Sequence, residues 1–502
     1  MTGTVELPLW ALVIIGVLAL WVLAERLLLP GVRWFFRRRV NFVIEQLNRR
    51  LKLKLPTFSL TKRKVLVDRL TYDPAVLEEV RRFCERTGTP WDVALARAES
   101  YAKEIVPSLN AYVYLGIANI IARRLIRRFY RVRLAYAEQL GLEKLDRQAS
   151  IVFVINHRSN MDYVLVAYLA LKHTLLSYAV GEWARIWPFQ QLIQALGGFF
   201  VRRDSGNELY RRVLERYVQM AVEGGVVQAM FPEGGLSRDG AFREPRIGLF
   251  DYVLRDFDPQ GERDVLFIPV GVNYDWVLED RRLLRDAGKL KAERKSTWYA
   301  MFSALRYLGR RVRKRFRGEW YRMGYASAAF GEPVSLRQWC LAGQLDMRAL
   351  PREQRIKQTQ RFAAHLLERI GEVVPALPVP VMCWIFLSAP RRAWSREALQ
   401  EAFAAAVERI EDSGSAYVPR RAPPYAVELG LRILKLRGMV KGDDAGYRLV
   451  AGERALFRYY ANSVVQLLGA PSRGLPGAPA RQGARRAGSR RAQRSTKARS
   501  MT

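Results

Sequence analysis

The sequence predicts an α/β protein: a largely parallel sheet covered by helices, flanked by an N-terminal membrane anchor plus helical region and by a C-terminal helical, winged-helix-like module. Three observations carry that expectation. Short apolar runs alternate with helical stretches through the middle of the chain. An uncharged apolar run stands near the N-terminus. Helical patterns return in the last third and end in two short strand-like runs around a polar turn.

The chain has 502 residues, half of them hydrophobic, which is enough for more than one core. Its 83 Lys and Arg against 48 Asp and Glu leave a formal charge of +35. That excess implies an anionic partner: nucleic acid, lipid headgroups and phosphorylated substrates all fit. The three cysteines, Cys84, Cys340 and Cys383, are far apart, so there is no disulfide framework and no zinc-ligand spacing. They suit a reducing compartment.

Residues 1–30 are expected to hold a transmembrane anchor. "LPLWALVIIGVLALWVLA" (7–24) carries no charge, and as a helix it is about 27 Å long, close to the hydrocarbon thickness. Arg33, Arg37, Arg38 and Arg39 follow it. The positive-inside bias then puts the rest of the chain in the cytoplasm. The other reading of this run is a buried hairpin helix. Residues 31–145 form a basic helical region, in which "AYVYLGIANIIARRLIRRFYRVRL" (111–134) reads as one basic amphipathic helix. Such a helix either lies in the bilayer interface or packs on a core.

Residues 146–345 alternate strands and helices. "SIVFVI" (150–155), "VVQAMF" (226–231) and "VLFIPVGV" (265–272) read as buried strands; "MDYVLVAYLALK" and "NELYRRVLERYVQMAVEG" read as helices. Residues 346–469 are helical and end in "GMVKGDDAGYRLV" (438–450), a hairpin with a polar turn. "PALPVPVMCWIFLSAP" (375–390) is apolar, but its four prolines make it a poor spanning helix. Residues 470–502 carry nine Lys or Arg and no acid, a disordered polybasic tail.

"NHRSNMD" (156–162) falls where a strand ends and a helix begins, so His157 lies on a loop and Ser159 or Asn160 can cap the helix. Asp162 then sits in the first turn, where the macrodipole favours a carboxylate. Folded back, it would fix the imidazole tautomer and stabilise the imidazolium, making a base for a substrate hydroxyl. The plainer alternative is a capping histidine beside a surface aspartate. "FPEGGLSRDG" (231–240) follows another strand and presents Glu233, Ser237 and Arg238 around a Gly-Gly turn. "GGFFVRRDSGNELY" (197–210) supplies Arg202 and Arg203 just before a helix, a pair suited to a phosphate dianion.

In this order, "HRSNMD", "GGFFVRRD", "FPEGGLSR" and "FIPVGVNYD" resemble the four blocks of the membrane-bound His-x4-Asp glycerophospholipid acyltransferases. The double glycine and the long second block are most similar to the bacterial glycerol-3-phosphate and dihydroxyacetone-phosphate branch. The resemblance is strong over residues 145–345 and extends weakly to "YYANSVVQLL" (459–468). It implies an acyltransferase domain at 146–345 that moves an acyl group from acyl-CoA or acyl carrier protein to the sn-1 hydroxyl of glycerol 3-phosphate. The step opens phospholipid synthesis. By the resemblance His157 is the base and Asp162 its orienter, and Glu233 and Gly234 help form the acceptor site. Phe200, Arg203, Ser237 and Arg238 bind the glycerol phosphate, Arg202 supports them, and Pro269 shapes the acyl side. No cofactor or metal is expected. The partners are the two substrates and an anionic phospholipid membrane, with no specific nucleic acid. Related acceptors, dihydroxyacetone phosphate and lysophospholipid, are the alternatives.

The third block departs from the family's Glu-Gly-Gly-Arg-Ser-Arg at Leu236. That removes one cation from the acceptor pocket unless Arg243 or Arg246, in "FREPRIG" (242–248), reaches in. Two other classes compete. A membrane-tethered winged-helix DNA-binding protein would read bases with "PYAVELGLRILKLRG" (424–438), which is more apolar than such a helix should be. A serine hydrolase at Ser237 lacks the second glycine of a nucleophile elbow.

Overall fold

The computed structural model describes residues 61–108, 148–170, 176–181, 189–202, 206–288, 322–443 and 446–471, together with 16, 58, 124, 126–135 and 146. The expected anchor (7–24) apart from residue 16, most of the expected helix 111–134 and the basic tail beyond residue 471 lie outside the described residues. Among the described residues no helix is long and apolar enough to cross a membrane.

Ten strands are described: β1 (Arg131–Ala135), β2 (Ser150–Ile155), β3 (Ser177–Gly181), β4 (Gly198–Val201), β5 (Gln228–Met230), β6 (Val265–Tyr274), β7 (Tyr325–Phe330), β8 (Val334–Ser335), β9 (Val440–Asp443) and β10 (Gly446–Leu449). The chain forms two compact units that cut across the expected sequential segments. Residues 1–121, 141–150 and 167–228 make one; residues 122–140, 151–166 and 229–502 make the other.

In the first unit, helices Arg63–Thr71, Pro74–Thr87 and Trp91–Ile105 pack with helix Glu208–Glu223. Local chemistry sets their ends. Asp73 caps the second helix by accepting from the Ala75 N–H at 2.9 Å, Pro74 occupies its first turn, and Gly88 ends it in the left-handed region. Ala94, Ala98 and Ala102 line one buried face of the third helix, where small side chains let the neighbouring helices approach closely. Strands β3 and β4 pair in parallel.

In the second unit the strand order is β1-β7-β6-β2-β5, with β8 on β6. The parallel pairing expected of the sheet is found between β1 and β7, whereas β6 runs antiparallel to β7 and to β8. Strand β2 matches the expected range residue for residue, and every position in it is buried. A continuous apolar run of this kind marks a strand covered on both faces. Helix Arg352–Val373 packs on β6 so closely that a Cβ on Gly271 would stand 2.6 Å from the Val374 backbone, which explains the glycine.

One expectation is corrected here. Arg131–Leu134, read as the end of a basic helix, belongs to β1. Pairing with Tyr325–Ala329 outweighs the helical spacing of the preceding arginines, and "RVRL" itself alternates with a strand's period. The proline-rich segment forms an eleven-residue helix, Pro378–Ser388, with prolines in its first turn and nearly every side chain buried. Helices Arg396–Asp412 and Pro423–Leu436 lead to the β9–β10 antiparallel hairpin, whose Tyr447 also pairs with Trp394.

Candidate active site

The site starts from the end of β2. Asn156 continues the strand by side chain: its amide donates to the Val272 carbonyl at 3.0 Å and its carbonyl accepts from the Val272 N–H at 2.7 Å. This anchors the chain to β6 one residue before His157. The Ser159 hydroxyl then accepts from the Met161 N–H at 3.1 Å, capping helix Met161–Ala170 as its residue type predicts.

Asp162, in the first turn of that helix, is fully buried and folds back onto the loop. Its Oδ2 lies 2.9 Å from His157 Nδ1 and accepts from the backbone N–H groups of Arg158 and Ser159 at 2.7 and 3.0 Å. Its Oδ1 accepts from the Tyr274 hydroxyl at 2.7 Å. Four hydrogen-bond partners on one carboxylate fix its orientation. Burial and the adjacent Asp162 charge push the Tyr274 hydroxyl well above the ordinary phenol range, so it remains a donor. His157 is 5% exposed, stacked on Phe231 at 4.1 Å, with the Tyr163 ring edge-on at 5.4 Å. With Nδ1 turned to the carboxylate, Nε2 is the nitrogen left for a substrate proton.

The loop after β5 grips the same histidine by its backbone. Glu233 Oε1 accepts from the His157 N–H at 3.0 Å, and the Ser237 N–H donates to the His157 carbonyl at 2.8 Å. Glu233 Oε2 accepts from the Arg243 N–H at 3.1 Å. Burial pushes the Glu233 carboxyl up to about 7, against the two backbone N–H groups that favour its anion. Between about 4.5 and about 7 the unfolded chain releases this proton while the folded chain retains it. This group therefore lowers stability as pH rises through that window, and its effect levels off above about 7. Asp275, pushed up to about 7 by burial, acts in the same direction, so the comparison must be made within one background. Melting temperatures of wild type and Glu233→Gln across pH 4.5–7 should show the flatter profile in the variant; parallel profiles would assign the titration elsewhere.

All the expected site residues but Arg203 fall among the described residues. His157, Asp162, Glu233 and Ser237 come together in the second unit. Gly234 and Arg238 lie exposed on the same turn, with Gly234 at φ +62°. The Ser237 hydroxyl is engaged within its own loop, donating to the Ala241 carbonyl at 2.7 Å and accepting from the Gly240 N–H at 3.0 Å. The hydrolase alternative needs that oxygen beside a base. Pro269 is buried in β6. Phe200 and Arg202 belong to the first unit. Phe200 is fully buried in β4. Arg202 is held bidentate by Glu104 at 2.7 and 3.0 Å, so its fork is already matched by a carboxylate. Arg203 lies outside the described residues.

Segment 242–248 folds back on the turn, with the Arg246 N–H donating to the Pro232 carbonyl at 2.7 Å. The Arg246 side chain lies against Gly234, where an added Cβ would meet its Cδ at 2.8 Å. Tyr274 and Asn156 were missed as site residues in the sequence. Both stand inside or next to quoted blocks, but only strand pairing reveals what they hold.

Residues 138–273 match the Acyltransferase family model, and residues 312–473 match that of the glycerol-3-phosphate acyltransferase C-terminal region. Glycerol-3-phosphate acyltransferase of Pseudomonas aeruginosa is 28% identical over 450 residues, covering 87% of this chain and 52% of that protein. The protein of the same name from Xylella fastidiosa is 27% identical over 365 residues, covering 71% and 41%. The chain thus spans about half the length of the relatives it matches. A crystal structure of the 1-acyl-sn-glycerophosphate acyltransferase from Thermotoga maritima aligns with 61% of this chain and 98% of its own, at 16% identity and a TM-score of 0.28.

Proposed function

We propose that this chain, whose residues 138–273 match the Acyltransferase model and 312–473 that of the glycerol-3-phosphate acyltransferase C-terminal region, acylates the sn-1 hydroxyl of glycerol 3-phosphate from a fatty acyl thioester, acyl-CoA or acyl carrier protein, as the first step of phospholipid synthesis. The observation that carries the reading is the buried His157–Asp162 pair at 2.9 Å, clamped through its backbone by the third block. His157 Nε2 takes the proton of the acceptor hydroxyl as its oxygen attacks the thioester carbonyl carbon. The tetrahedral intermediate collapses with loss of the thiolate, which takes that proton from the imidazolium. Ester and free thiol are the products, and His157 returns to its neutral form. Asp162 stabilises the transient imidazolium. The chemistry runs on these side chains and the activated thioester, with no cofactor or metal in the proposal.

Arg238 and Arg246 are the cations nearest the exposed Gly234 turn in sequence and in contact respectively, and they suit the acceptor's phosphate. Leu236 is half-buried on that turn. Leu236→Arg is expected to lower KM for glycerol 3-phosphate more than it changes kcat, as an added uniform-binding contact does. An unchanged or higher KM would make Leu236 a packing residue. The function itself is tested by incubating purified protein with palmitoyl-CoA or palmitoyl-acyl carrier protein and glycerol 3-phosphate, dihydroxyacetone phosphate or lysophosphatidate, and reading products by mass spectrometry. Acylation of glycerol 3-phosphate is expected. Acylation of another acceptor alone replaces the substrate, and no acyl transfer to any of them overturns the reading.

The apolar run 7–24 and the basic tail point to the cytoplasmic face of the inner membrane. Deleting residues 1–30 should release part of the protein from membranes. The remaining basic segments should retain a salt-sensitive hold on anionic lipid, at ~1 kcal/mol per basic residue near the surface. Full solubility of the truncated protein at low salt would remove that second contact.

A further inference from the structure

Both loops that hold His157 are bound from the far end of the chain, by helix Arg454–Ala461 and the residues after it. Arg158, next to His157, is 3% exposed. Its Nη1 donates to the Gly240 carbonyl at 2.8 Å, and its guanidinium lies 5.2 Å from the centre of the Tyr459 ring. The Tyr459 hydroxyl donates to the Arg158 carbonyl at 3.3 Å, so the tyrosine grips both ends of that residue. Asn462 donates to the Asp239 carbonyl at 3.0 Å. Gly240 has φ +82°, and a Cβ there would stand 1.8 Å from the Tyr459 carbonyl oxygen; only glycine lets the helix sit on the loop.

The neighbouring tyrosine secures the helix itself. The Tyr460 hydroxyl donates to Asp280 at 2.5 Å and accepts from the Val277 N–H at 3.0 Å and from Arg437 Nη1 at 2.7 Å. Arg437 is also paired with Asp280. A buried network with its polar groups matched in this way has little freedom to shift.

We infer that Tyr459 is a positioning residue for the reacting base, acting through Arg158; this rests on the acyl-transfer reading. Glu233 and Ser237 pin the backbone of His157, and Tyr459 with Gly240 pins the residue after it. The direction of the imidazole therefore depends on a helix some 300 residues away in the chain, as the Arg158–Tyr459 separation of 301 shows. A displacement of about 1 Å at a reacting group can cost about a hundredfold in rate.

The test uses full-length protein and three variants, each checked by thermal melting. Arg158→Lys keeps the charge and loses the planar fork. Tyr459→Leu loses ring and hydroxyl; Tyr459→Phe keeps the ring and loses only the hydroxyl. Assays with glycerol 3-phosphate and palmitoyl-CoA give kcat and KM, and 15N shifts report the His157 imidazole, one of three in the chain. Arg158→Lys and Tyr459→Leu should lower kcat at least about tenfold with KM for both substrates within about twofold, and should move the His157 signals. Tyr459→Phe should lower kcat about threefold and move them less, the scale of one lost hydrogen bond. Wild-type kcat and unmoved His157 signals in the folded variants would overturn the proposal, and Tyr459→Phe decides alone if the other two do not fold. A wild type without acyl transfer would sink the functional reading instead, while the His157 signals would still decide the role of Tyr459.

Discussion

His157→Ala is expected to lower the rate of acyl transfer by about 100- to 10,000-fold, the usual cost of losing a general base. The fold should survive, because the hydrogen bonds that tie residue 157 to Glu233 and Ser237 are made by its backbone N–H and carbonyl, which alanine keeps. Asp162 keeps the Arg158 and Ser159 N–H groups and the Tyr274 hydroxyl. What is lost is the imidazole stacked on Phe231, a buried aromatic contact worth ~0.5–1.5 kcal/mol. Steady-state kinetics beside a melting curve separate the two effects. Transfer within about threefold of wild type would remove His157 from the base role, since the typical contribution of such a group is far larger.

Asp162→Asn is expected to be of similar severity, about 100- to 10,000-fold in kcat, with a folded protein and little change in KM. The geometry allows the amide to replace the carboxylate almost atom for atom. Its carbonyl oxygen takes the Oδ2 place, facing His157 Nδ1 and the N–H groups of Arg158 and Ser159. Its NH2 faces Tyr274, whose hydroxyl can rotate to accept. The charge that stabilises the imidazolium is then the only loss. Asp162→Ala is a poorer test, because it strands buried donors at ~1–3 kcal/mol each and loosens the loop itself. Near-normal kcat in Asp162→Asn would show that the carboxylate serves the loop and not the base.

Much of this site is legible along the chain because its first layer is local. Strand β2 was readable from an apolar β-branched run, the cap from Ser159, and the place of Asp162 from its position in a first helical turn. Each depends on residues within a few positions of one another. The order of the four blocks added the resemblance, and the two matched family regions follow it. The part read incorrectly is also instructive. Arg131–Leu134 continue a helical pattern of charges, but an open edge at β7 recruits them as a strand. That Glu104, 98 residues earlier, holds the Arg202 fork is likewise invisible along the chain.

By itself, then, the sequence determined the strand–loop–helix that carries His157 and Asp162, and the set of loops from which an acceptor site can be built. The tertiary structure decided how the histidine is held. Glu233 serves its backbone N–H across 76 residues, Tyr274 completes the Asp162 shell across 112, and Tyr459 grips Arg158 across 301. The physical reason is the same in each case. Helix caps and strand periods arise from near neighbours and leave a pattern in the sequence. The partner of a buried polar group is whichever element packs against it, and a backbone N–H or carbonyl offers the same partner whatever its side chain is.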